Sequence, residues 1–68
     1  MKIEIRLNGK PHELDAPSSV ADLVVALGLR PGMVAVEVNE KVVTRDRRAD
    51  TELAPGDQVE VVTMVGGG

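Results

Sequence analysis

The sequence predicts an α+β domain, a mixed sheet with one main helix packed on one face. Three observations carry this. Apolar residues alternate with a period of two near both ends of the chain and switch to helical spacing once, between Val20 and Leu27. That helical stretch is bounded by a capping box and a glycine stop. Asn-Gly and Pro-Gly pairs stand where the alternating runs must reverse direction.

The elements follow in order. Lys2-Ile3-Glu4-Ile5-Arg6-Leu7 places apolar residues on one side and charges on the other, which is a half-buried strand. Asn8-Gly9 readily takes positive φ at both central positions of a type I′ turn, so Lys10–Leu14 is the returning strand. Pro11 has no N–H and puts this strand at an edge. Ser19-Val20-Ala21-Asp22 matches a capping box, in which the Ser19 hydroxyl and the Asp22 carboxylate each accept from the other residue's N–H. Val20, Leu23, Val24 and Leu27 form the apolar stripe of a helix of two to three turns, closed by Gly28 and blocked by Pro31. Val34–Val38 alternates again. Asn39-Glu40 is a turn into a short strand, Lys41–Val43. The charged stretch Thr44–Asp50 is an irregular or 3₁₀ turn. Ala54-Pro55-Gly56-Asp57 is a turn before the last strand, Gln58–Met64. A right-handed crossover through the helix makes the first and last strands parallel neighbours. The expected core is Ile3, Ile5, Leu7, Val20, Leu23, Val24, Leu27, Val36, Val38, Leu53, Val59 and Val61.

Composition narrows the function. At 68 residues the chain is one small domain. A domain of this size buries only about 60% of the surface its unfolded form exposes, which leaves little room for an enclosed active site. Cysteine is absent, so there are no disulfides, thiolate metal sites or cysteine nucleophiles. Aromatic content is 0%, which removes base-stacking platforms and cation cages. The single histidine, His12, cannot build a two-histidine metal centre, and no metal site is expected. A net charge of −3 without aromatics argues against nucleic acid, whose phosphates need clustered Lys and Arg. No apolar run is long enough to span a bilayer, and the alternating N-terminus is not a signal peptide. A cytoplasmic protein without membrane contact is expected.

The glycine end admits two readings. Val65-Gly66-Gly67-Gly68 is either an inert frayed terminus or a tail built to enter a narrow site. Glycine favours the second by allowing the closest approach of another surface to the backbone. The reacting group would then be the Gly68 carboxylate, which is ionised at neutral pH and a poor electrophile. It needs activation, most simply as a mixed anhydride with AMP formed from ATP. No phosphate-binding loop of the G-x-x-x-x-G-K type is present, so a partner enzyme must do this. The expected division is a folded domain over residues 1–65 and a glycine tail over residues 66–68.

The same residues resemble a known family. The first hairpin, Ser19-Val20-Ala21-Asp22-Leu23, Val36-Glu37-Val38-Asn39, Val43-Thr44-Arg45, Leu53-Ala54-Pro55-Gly56-Asp57 and the glycine end look like the ThiS/MoaD family of ubiquitin-like β-grasp sulfur carriers. The resemblance runs over essentially the whole chain and rests on the order of individually weak motifs. It implies a carrier that is not itself an enzyme. A ThiF-like enzyme adenylates Gly68 using ATP. A cysteine desulfurase or rhodanese-type donor supplies sulfur, giving a thiocarboxylate, and thiazole synthase receives it in thiamine biosynthesis. The carrier itself binds no cofactor. Gly67 partners Gly68 in the motif. Gly66 departs from the small or apolar residue often found there and loosens the tail. The resemblance leaves other roles open. Among thiocarboxylate carriers, the small subunit of molybdopterin synthase is usually longer and often has a Pro-Pro pair where this chain has Val62-Thr63-Met64-Val65. Sulfur carriage for tRNA thiolation or cysteine synthesis is a further alternative. A ubiquitin-like modifier would join Gly68 to an amine instead of sulfide, and a plain interaction module would leave the tail inert.

The remaining candidates are surface features. Val62 and Met64 alternate outward if Val59 and Val61 face inward, and with Val65 they form either a partner-docking patch or a surface covered by a neighbouring element. Arg45, Arg47 and Arg48, with Asp46 and Asp50 beside them, read as a solvated face with internal ion pairs, or else as a group that steers a partner. His12 reads as a surface residue. Asn39 and Asp57 read as structural turn residues.

Overall fold

A computed structural model describes residues 1–64. Strands β1 (Lys2–Leu7) and β2 (Lys10–Asp15) form an antiparallel hairpin. Helix α1 (Val20–Ala26) follows, then a 3₁₀ turn over Pro31–Met33. Strands β3 (Val34–Val38) and β4 (Lys41–Val43) make a second hairpin. A 3₁₀ helix over Arg45–Asp50 leads to β5 (Gln58–Thr63). The sheet order is β2-β1-β5-β3-β4, with β1 and β5 parallel and the other pairs antiparallel. The expected domain boundary after residue 65 lies outside the described residues.

Local chemistry accounts for each reversal. Asn8 (φ 51°) and Gly9 (φ 82°) both lie in the left-handed region that a two-residue hairpin turn requires. Asn39 (φ 53°) and Glu40 (φ 68°) do the same between β3 and β4. Pro11 lies on the outer strand, as its missing donor demands. The helix is bounded as its sequence dictates. Asp22 N–H donates to Ser19 Oγ at 3.0 Å, and Ser19 N–H donates to Asp22 Oδ2 at 2.9 Å. At the other end Gly28 N–H donates to the Val25 carbonyl and Leu29 N–H to the Val24 carbonyl, the paired bonds of a Schellman close.

A seven-residue helix is not stable alone and depends on its packing. Val20, Leu23 and Val24 are buried against Ile3, Ile5, Val34, Val36, Val43, Leu53, Val59 and Val61. The segment after the 3₁₀ helix ties the helix start down. Val20 N–H donates to the Thr51 carbonyl, and Leu53 N–H donates to the Ser18 carbonyl, both at 2.9 Å.

Some expectations shift. Leu7, Leu27 and Val38 are only partly buried, because each sits at the end of its element. Val34 and Val43 are buried instead. Val43 reaches the core because it lies directly opposite Val36. His12 is half-buried on the helix side of the edge strand, opposite Ile5.

Candidate functional site

The glycine tail follows the end of β5 in the sequence. Val65, Gly66, Gly67 and Gly68 lie outside the described residues, and the described part of the site is the strand end and the face around it. Strand β5 runs through the middle of the sheet, between β1 and β3. Its alternation points Val59 and Val61 at the helix and leaves Glu60 and Val62 on the open face.

Both sides of the strand end are held. On the β1 side, β1 stops at Leu7 and the Asn8 side chain continues the ladder. Its Nδ2 donates to the Val61 carbonyl at 3.1 Å, and its Oδ1 accepts from Val61 N–H at 2.8 Å. On the β3 side, Met64 N–H donates to the Met33 carbonyl at 2.7 Å. The base of the strand is fixed by Asn39 and Asp57, as expected of turn residues. Asn39 Oδ1 accepts from Gln58 N–H at 3.0 Å, its Nδ2 donates to Asp57 Oδ1 at 3.1 Å, and Asp57 Oδ2 accepts from Ala54 N–H at 2.8 Å.

Val62 and Met64 are 57% and 50% exposed, so no neighbouring element of the described chain covers them. Val62 lies directly opposite exposed Ala35 on β3. Exposed Met33 and, farther across on β4, exposed Val42 extend the apolar character of this end of the face. One acidic pair borders it, and a second lies toward the other end of the open face. Glu37 on β3 is directly opposite Glu60 on β5, and Glu4 on β1 is directly opposite Glu13 on β2. Like charges in such positions repel.

The arginine group does not behave as one surface. Arg45 and Arg47 are exposed, but Arg48 is only 6% exposed. Its Nη1 donates to the Pro31 carbonyl at 2.8 Å and its Nη2 to the Val34 carbonyl at 2.7 Å. The expected solvated face with internal ion pairs is therefore wrong for Arg48. Among the described residues the ion pair present is Lys2–Asp15 at 3.2 Å, on the first hairpin. A charged triplet in a polar segment gave no sign that one member turns inward. Asn8 was legible as a turn residue, but its second role depends on where β5 lies and has no local signal. Among the described residues no three His, Asp or Glu side chains gather in a metal-binding group, and no helix is long and apolar enough to cross a membrane.

The comparisons with known proteins agree with this geometry. The crystal structure of the thiamine biosynthesis protein ThiS from Geobacter metallireducens superposes with a TM-score of 0.82 at 33% identity, covering 97% of this chain and 100% of that one. The architecture is accordingly the ubiquitin-like β-grasp. The sulfur carrier protein ThiS of Bacillus subtilis is 32% identical over 65 residues, 94% of this chain and 98% of that protein. A thiazole synthase of Magnetococcus marinus is 42% identical over 66 residues, 97% of this chain and 20% of that protein. The chain thus spans about one fifth of the thiazole synthases it matches. The sequence model of the ThiS family matches residues 5–68, and the chain belongs to that family.

Proposed function

We propose how this sulfur carrier of thiamine biosynthesis holds its cargo: the sulfur travels on the main-chain carboxylate of Gly68. The observation that carries the reading is a β-grasp domain of the ThiS family whose central strand is fixed at Val61 and Met64 and leads into Gly66-Gly67-Gly68. Such a strand end gives the tail a defined origin, while glycine lets it enter a narrow site.

The chemistry falls to partners. A ThiF-like adenylating enzyme joins the Gly68 carboxylate to AMP and releases pyrophosphate from ATP. The outer sulfur of a persulfide on a cysteine desulfurase or rhodanese-type donor attacks the activated carbonyl and AMP leaves. A thiol reductant then breaks the S–S bond of the acyl disulfide, which frees the thiocarboxylate and the donor thiol and leaves the reductant as a disulfide. Thiazole synthase then takes the sulfur, a role supported by the thiazole synthase relatives that contain a segment similar to this chain. The chain works in the cytoplasm, contributes no catalytic group to these steps and holds no cofactor of its own.

The open face is the docking surface. Val62, Met64 and Val65 lead the partner to the tail, and the bordering glutamates select a partner surface that supplies Lys or Arg. The test mixes thiocarboxylated protein with thiazole synthase and its substrates and follows the intact mass of the carrier. Return to the carboxylate mass, dependent on the synthase, supports the reading. A thiocarboxylate that persists contradicts the assigned acceptor, and formation of lysine-linked conjugates in its place points to a protein modifier.

A further inference from the structure

Among the described residues Arg48 is the charged residue that is buried, and the carrier chemistry does not account for it. Its two guanidinium arms grip the carbonyls of Pro31 and Val34, at either end of the 3₁₀ turn that starts β3. Between these carbonyls lies that of Met33, which accepts the Met64 N–H.

The topology explains why an arginine is needed. Strand β3 has two edges. Its β5 edge takes the Met64 amide at Met33. Its β4 edge is paired only from Val36, because β4 ends opposite it at Val43. The Val34 carbonyl is therefore left without a strand partner on that side. Arg48 Nη2 supplies one, and Nη1 reaches three residues back to Pro31. A fork of fixed geometry can hold two carbonyls at once, which a single ammonium cannot do with the same rigidity. Arg48 Nε is buried with no partner among the described residues. Gly32 adds to the same arrangement. A Cβ there would lie 3.2 Å from Arg45 Nη1, so a second guanidinium lies close over the turn.

We infer that Arg48 is a positioning residue for the carrier reaction, holding the Pro31–Val34 turn so that Met33 fixes the last described amide before the glycine tail. The inference rests on the reading that the tail is the working part. With the turn released, the Met64 amide leaves the Met33 carbonyl more often. The tail then starts from many directions, and fewer docked complexes place Gly68 in the adenylating site. The loss falls on turnover more than on docking, because the open-face contacts remain.

The test uses the full chain with Arg48→Met and Arg48→Lys, and Ile3→Ala as a control. Ile3 is buried on β1, which β5 separates from β3. Two readouts are taken well below every variant's melting transition. The first is hydrogen exchange at the Met64 amide compared with amides of β1. The second is conversion to the thiocarboxylate by the adenylating enzyme with ATP and sulfide, followed by intact mass. In Arg48→Met the Met64 amide should exchange about tenfold faster while β1 amides shift no more than in the control. Its kcat should fall about tenfold with KM kept within about twofold. Arg48→Lys should recover part of both, and Ile3→Ala should change neither. If Arg48→Met does not fold, Arg48→Lys is read by the same two criteria. Met64 exchange no faster than in the control, or wild-type kcat despite faster exchange, overturns the inference. Wild-type protein that is never converted overturns the carrier reading and this role with it, and that failure is recognised before any variant is compared.

Discussion

The Asn8 side chain stands in for a missing strand residue beside Val61, donating to its carbonyl at 3.1 Å and accepting from its N–H at 2.8 Å. One residue thereby turns the first hairpin and ties it to the strand that carries the tail. Asn8→Gly keeps the positive φ and removes both bonds. It should cost about 1–3 kcal/mol in urea unfolding, since the Val61 groups are partly buried. A loss indistinguishable from zero would mean that water replaces the amide freely.

The helix termini make a second prediction. Ser19→Ala removes the acceptor for Asp22 N–H and should cost about 1 kcal/mol. Gly28 has φ 74° and open space where a Cβ would stand, so Gly28→Ala meets no clash. It should still cost about 1–2 kcal/mol because an L residue is strained in the left-handed region. Thermal unfolding of both variants checks this, and an unchanged Gly28→Ala would contradict the Schellman close.

Core and tail should separate cleanly. Leu23 is 3% exposed, and Leu23→Ala should lower stability by about 2–5 kcal/mol. Deleting Gly68 should leave the unfolding midpoint nearly unchanged and abolish thiocarboxylate formation. A large loss of stability on deletion would place the tail in the packed structure and undo its role as a free reacting end.

The open face gives a prediction in which stability and function move in opposite directions. Glu60 faces Glu37 across the β5–β3 pair. Glu60→Lys replaces repulsion with attraction and should stabilise the fold by about 0.2–1 kcal/mol. The same change should raise KM for the proposed adenylating enzyme, most strongly at low salt. Val62→Ser should also raise KM, with little salt dependence. A Glu60→Lys protein that is more stable and equally well adenylated would remove the charge argument for docking.

Most of the fold was legible because its local signals agree. The alternation in β1, β3 and β5, the capping box at Ser19, Gly28 after the helix and the Asn8-Gly9 turn each specify one element. The working role of the tail was read from composition and from the resemblance to the ThiS/MoaD family, and it falls on residues outside those described. What was not legible depends on contacts between distant residues. Arg48 sits in a polar, charged stretch with no periodicity, and it turns inward to the Val34 carbonyl, which the short reach of β4 leaves without a partner on that side. Val43 falls in the core because of its register with Val36, which a three-residue strand cannot announce. Val62 and Met64 were ambiguous as a pattern, and only the sheet order shows that nothing in the described chain covers them.

The measurement that tests the central claim most directly is the intact mass of the full chain after incubation with the proposed ThiF-like adenylating enzyme, ATP and a sulfur donor. The account predicts a mass gain equal to the exchange of one oxygen for sulfur, lost when Gly68 is deleted. An unchanged mass under conditions that convert a known carrier, or a gain that survives removal of Gly68, would contradict it.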